Sequence, residues 1–202
     1  SCPWQRRRRQ PIGAAYEGPM AGPLKKLTAA WILRRRENDG LRAGLTLALR
    51  YDIPEAVAAA RSVLKQSKSA EIEAQNLAAA VVLIGLHGRK ADLPLLARHA
   101  ANDRVFVSIL DSSVKVGQFV RPVVTDGRDL SCQVRDAAAA AMCKLTGRDP
   151  ADFGLPPFPK VKHPNGRPMS LTSSTAAGFK SKAARDAAFA KAGHWLKSFE
   201  DE

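Results

Sequence analysis

From Leu24 onward, apolar side chains return at three- and four-residue steps, the period of a helix with one face turned inward. Leu24, Leu27 and Trp31 mark such a face, and the Asn38-Asp39-Gly40 cluster predicts the end of that first helix. Leu41, Gly44, Leu45, Ala48 and Leu49 repeat the pattern in a second helix. Leu45, Leu47 and Leu49 also alternate as a strand would, and the helical neighbours favour helix. Asp52-Ile53-Pro54 opens a third helix, with Pro54 near the first helical position, where its missing N–H costs nothing. Its stripe is Ile53, Ala56, Val57, Ala60, Val63 and Leu64. Ser67 to Ser69 interrupt it, and Ser69 with Glu71 forms a plausible N-cap. A fourth helix over 70–87 is apolar almost all round from Leu77 to Leu86, so it should be covered on both sides. His87-Gly88 ends it. Asp92 to Ala101 supplies a fifth through Leu93, Leu96, Ala97 and Ala100.

Residues 103–131 break this period. Val105, Val107, Ile109, Val114, Val116, Phe119, Val120, Val123 and Val124 are β-branched or aromatic, and a structureless loop of that length is rare in a compact domain. An inserted extended segment or short hairpin is expected there. The helical period resumes over 132–146 with Val134, Ala137, Ala138, Ala141, Met142 and Leu145, and Gly147 stands where a left-handed C-cap belongs. The proline-rich stretch 155–180 reads as a linker or wrapping arm. Ser181 then caps a last helix, 181–202, with Ala184, Ala188, Ala192, Trp195 and Phe199 on one side. The predicted fold class is all-α. Residues 1–22 form an extended Gly/Pro-rich basic tail and 23–154 the helical domain. Its core is expected from Val57, Leu77, Val81, Ile84, Leu96, Val134, Met142 and Leu145.

Composition sharpens this picture. Apolar residues make up 45% of the 202, but aromatics only 6%, so small and aliphatic side chains fill the core and suit close helix packing. No run of eighteen apolar residues lacks a charge, so no membrane span is expected. Cys132 and Cys143 fall on one predicted helix about 16 Å apart, too far for a disulfide, and Cys2 stands alone. A reducing, cytoplasmic setting is the mild default. The Ser-Cys opening without methionine fits a processed start or a fragment, and with it an exported origin.

The net charge of +13 suggests an anionic partner, but its distribution narrows the suggestion. Residues 1–50 carry +8 and 155–202 carry +4, whereas 51–102 carry +1 and 103–154 carry none. A helical repeat that cradled a nucleic-acid duplex would concentrate its cations in the middle. The candidate residues for an anionic partner are therefore at the ends: Trp4 with Arg6, Arg7, Arg8 and Arg9, then Arg34, Arg35 and Arg36, and Lys160, Lys162 and Arg167. A solubilising tail, or cations attracted to a helix C-terminus, explains the same residues equally well.

Catalytic and metal chemistry find little support. His87, His99, His163 and His194 form no ligand pair, and there is no C-x-x-C, nucleophile elbow or phosphate loop. His87 and His99 lie at predicted helix ends that welcome a cation. Asp126 with Asp129, and Asp149 with Asp152, are explained more simply by turns than by acid–base work. Arg135-Asp136 reads as a capping and inter-repeat pairing feature. No catalytic, cofactor-binding or metal residues are assigned, and no cofactor is expected.

Two stretches match each other: Ala78-Ala79-Ala80 through Leu86-His87-Gly88-Arg89, and Ala137-Ala138-Ala139 through Leu145-Thr146-Gly147-Arg148. Val134-Arg135-Asp136-Ala137-Ala138 with Leu145 and Gly147 resembles the first helix of a HEAT repeat. Ile53-Pro54-Glu55-Ala56-Val57 with Val63-Leu64 resembles the second helix of the preceding one. The run from Gln133 to Phe153-Gly154, with Gly178-Phe179 and the Trp195 helix, is similar to HEAT-like (armadillo-type) proteins of the planctomycete kind. The resemblance covers about 24–154 and implies a short α-solenoid with an inserted extended segment and a C-terminal helix. Stacked helical layers leave a broad groove that suits a protein partner, so the expected function is a non-catalytic scaffold or assembly subunit binding through that groove and the basic ends. The alternatives are a HEAT-type nucleic-acid binder using the basic tail and an enzyme of unrecognised type.

Overall fold

The computed structural model describes residues 16, 18–66, 72–110, 113–116, 119–122, 130–158 and 178–199. Seven α-helices run through them: α1 (Ala21–Leu33), α2 (Asn38–Arg50), α3 (Val57–Gln66), α4 (Ala74–His87), α5 (Leu93–Ala97), α6 (Val134–Thr146) and α7 (Lys182–Lys197). The protein is mainly helical. Between α5 and α6 lie four strands, β1 (Val105–Leu110), β2 (Ser113–Val116), β3 (Phe119–Pro122) and β4 (Leu130–Gln133). They form one antiparallel sheet in the order β3-β2-β1-β4, with Val107 opposite Val116 and Ser108 opposite Ser131. These strands fall in the stretch whose β-branched composition predicts extended chain.

The core is organised around α4. Every residue from Asn76 to Gly85 is buried, because α2, α3 and α6 all pack against this helix. A helix apolar all round needs such enclosure. The buried side of α2 consists of Leu41, Gly44, Leu45, Ala48 and Leu49, the residues its period selects. The 3₁₀ turn Pro54–Ala56 leads into α3, whose stripe from Ile53 to Leu64 is buried throughout. In α6 enclosure again exceeds a stripe: Val134 and every residue from Asp136 to Cys143 are buried. Leu145, expected in the core, is only half-buried at its edge.

Several boundaries differ from the sequence expectation. Asn38-Asp39-Gly40 does not end α1 but begins α2. Asn38 accepts from the Glu73 backbone N–H at 3.0 Å, and its carbonyl accepts from Asn76 Nδ2 at 3.0 Å, stitching the start of α2 to the start of α4. α1 turns Thr28, Ala29 and Ile32 inward and leaves Leu27 67% exposed. α2 approaches this helix closely at Gly44, where an added Cβ would lie 2.6 Å from Ile32 Cγ1. The fifth helix is α-helical only over Leu93–Ala97. It continues in i→i+3 turns, with the His99 N–H on Leu96 O and the Ala100 N–H on Ala97 O. Cys132 lies on β4 rather than on the helix of Cys143, and both thiols are buried and free. Ser69 and Glu71 lie outside the described residues.

The last helix keeps most of its expected face. Ser181 caps α7 as its sequence suggests, its Oγ accepting from the Ala184 N–H at 3.1 Å. Ala188 and Ala192 are buried, and Trp195 and Phe199 pack against the core; Arg185 and Leu196 are buried as well, and Ala184 faces outward.

Candidate functional site

The one sequence-selected cluster within the described residues is Arg34, Arg35 and Arg36, where α1 ends. Its three members do different things. Arg35 lies over the Trp31 ring at 4.6 Å, and its aliphatic stem packs against Gly40, so it serves the α1–α2 junction. Arg34 and Arg36 are exposed. On its inner side α1 is fastened by Thr28, whose hydroxyl bonds Leu24 O at 2.9 Å and the Tyr16 hydroxyl at 2.8 Å. Tyr16 in turn stacks on Tyr51, with ring centroids 4.3 Å apart. The outer side of α1 thus belongs to a fixed helix. It carries exposed Met20, Leu27 and Leu33 beside Lys26 and Arg34, and α1 contains no acidic residue. Trp4, Arg6, Arg7, Arg8, Arg9, Lys160, Lys162 and Arg167 lie outside the described residues, as do His163, Asp126 and Asp129.

A second charged cluster forms where α2, α4 and α6 end. His87 Nε2 stands 3.0 Å from Asp52 Oδ1, and Lys25 Nζ donates to Asp52 O at 2.9 Å. Asp52 adopts φ +54°, a left-handed conformation that aspartate tolerates better than most residues. Lys144 Nζ lies 4.6 Å from the Phe158 ring, and burial draws its pKa down. Burial also holds the His87 pKa below its ordinary value, more strongly than Asp52 raises it. Burial likewise lowers the pKa of His99, which is buried with Nε2 3.3 Å from Leu64 O. Both stand at the helix ends the sequence predicts, His87 in the last turn of α4 and His99 just past α5.

A groove of about 440 Å³ runs along α3, lined by Ala58, Arg61, Ser62, Lys65 and Gln66. Arg61 is already engaged: its guanidinium holds the Asp92 carboxylate through two bonds of 2.7 and 2.9 Å. Hydrogen bonding from Arg61 keeps the Asp92 pKa below the usual carboxylate range despite burial. Among the described residues, no group of three or more His, Cys, Asp or Glu side chains is placed to hold a metal ion. None of their helices is long and apolar enough to cross a membrane.

Sequence reading missed the most enclosed ion pair. Asp136 Oδ2 accepts from the Gln133 N–H at 2.8 Å, the cap that Arg135-Asp136 suggests. Its other role is to meet Arg185 Nε at 3.0 Å, with both side chains shut away from solvent. The pair therefore joins α6 to the terminal helix rather than to a neighbouring repeat. Arg185 also donates to Ser131 O at 2.6 Å and Ser131 Oγ at 2.8 Å, and lies over the Phe179 ring. Burial pushes the Asp136 pKa up, against the pull of the Gln133 N–H and of Arg185. One sequence signal pointed here: Arg185 shares its helical face with Ala188, Ala192 and Leu196.

No protein-family model matches the chain, and neither the curated proteins nor the solved structures contain a match.

Proposed function

We propose that the chain is a non-catalytic scaffold, a short HEAT-like α-solenoid that holds a protein partner. The observation that carries this reading is the pattern of helix neighbours. α1 packs on α2, α3 on α4 and α5 on α6, while α2, α4 and α6 follow one another as neighbours and α1, α3 and α5 do the same. Two alternating layers of this kind are how stacked helix pairs share a core and leave long surfaces for recognition. The near-neutral charge of 51–154 supports a protein rather than a duplex as the cargo. The closed, paired state of Asp136–Arg185 and Arg61–Asp92 supports structural rather than catalytic roles for the enclosed charges.

The rival nucleic-acid reading rests on the Arg6–Arg9 run. Affinity capture from native lysate separates the two, comparing the wild-type chain with one in which Arg6 to Arg9 are serine, each with and without nuclease. Protein capture that survives both treatments is the expected result. Loss of every captured protein on nuclease treatment would transfer the reading to nucleic acid.

A further inference from the structure

We infer that the outer face of α1 is a docking surface for an acidic amphipathic helix of a partner protein. This rests on the protein-binding reading above and gives it a place and a partner chemistry. Met20, Leu27 and Arg34 are spaced by seven residues and so share one line along α1; Lys26, Ala30 and Leu33 flank it. All six are exposed, with Met20 at 66%, Leu27 at 67% and Leu33 at 44%. Large apolar side chains displayed on a helix while Thr28 and Ala29 take its inner side are not accounted for by the protein's own core. The inner side is already fixed on α2, α3 and the Pro54–Ala56 turn, so the face is presented rigidly.

Charge selects the occupant. The face carries Lys26 and Arg34 with no acid in the helix. A second copy laid on the same face would bring cation onto cation, which disfavours self-association there. A helix with leucine-type residues at three- and four-residue steps and glutamates on its flanks would seat its ridge among Met20, Leu27 and Leu33 and pair its carboxylates with Lys26 and Arg34.

The test uses fluorescence anisotropy with three probes: a synthetic helix with a leucine stripe and glutamate flanks, a scramble of the same composition, and a helix with the same stripe and lysine flanks. The acidic amphipathic helix should bind the wild-type chain roughly tenfold tighter than its scramble, a difference within reach of one or two central side chains. Leu27→Glu should abolish that margin without lowering the melting temperature, since Leu27 is outside the core. Lys26→Glu with Arg34→Glu should transfer the preference to the lysine-flanked probe. Equal binding of acidic helix and scramble, or an unchanged affinity in Leu27→Glu, overturns the assignment. So does displacement of the probe by phosphatidylcholine vesicles containing phosphatidylserine, which would mark a lipid-facing helix. If the probes fail while protein capture from lysate survives nuclease, only the α1 surface falls; if both fail, the scaffold reading falls with it.

Discussion

Asp136 and Arg185 lie 49 positions apart in the chain and meet at 3.0 Å, with side chains 0% and 4% accessible. Such a pair contributes little by comparison with an apolar replacement, yet removing one member leaves a charge stranded in the interior. Arg185→Met should therefore cost about 3–5 kcal/mol. Asp136→Asn with Arg185→Met should cost less than Arg185→Met alone, because no carboxylate is then left unpaired. Urea unfolding of the variants decides it: a double variant no more stable than Arg185→Met would show that the pair is not the governing contact.

Gly44 sets the distance between α1 and α2. A methyl group there meets Ile32 Cγ1 at 2.6 Å and the Trp31 ring at 3.0 Å. Overpacking of this kind costs about 1–3 kcal/mol, partly offset by a gain of about 1 kcal/mol in helix propensity. Gly44→Ala should thus lower the melting temperature. In an Ile32→Ala background, where the nearest obstructing atoms are gone and only the Trp31 ring remains close, the same change should cost less. Equal losses in both backgrounds would mean that the helices are not held at contact distance.

Stability should depend on pH through the buried histidines. Burial lowers the His99 pKa, and His87 moves in the same direction for the same leading cause. The unfolded chain then takes up protons more readily than the folded one. Stability present above the ordinary histidine range near pH 6.5 is lost as pH falls below it toward the folded values. Asp92, whose pKa is lowered by Arg61, adds its own loss only in more acidic solution. Melting temperatures between pH 7.5 and about pH 5 should fall in the wild type and fall less steeply in His99→Gln. Parallel curves would remove His99 from the account.

The helices were legible where one apolar period faced one neighbour. α2 and α3 bury the residues their stripes select, and the unbroken apolar run of α4 correctly announces enclosure. Legibility fails where size and hydrophobicity part company. At α1 the inner face takes Thr28, whose hydroxyl meets that of Tyr16, together with Ala29 and Ile32, and Leu27 is left outward. It fails again at Arg185, since a charged residue is assigned to the surface until its distant carboxylate is known. Asn38-Asp39-Gly40 is ambiguous for a different reason: a cluster of these residue types commonly punctuates a helix, and here it forms the first turn of α2. In the candidate site, the excess of cations at the end of α1 could be read directly. That Arg35 is spent on Trp31 while Arg34 stands free required three dimensions.

The long separation between Asp136 and its guanidinium has a consequence during synthesis. A chain made at about 5–20 residues per second exposes Asp136 some 2–10 seconds before Arg185 follows. For that interval α6 must either wait unburied or close over a lone anion. α7 thus seats after α6, and a nascent chain halted before residue 185 would present its unfinished interior to chaperones and proteases.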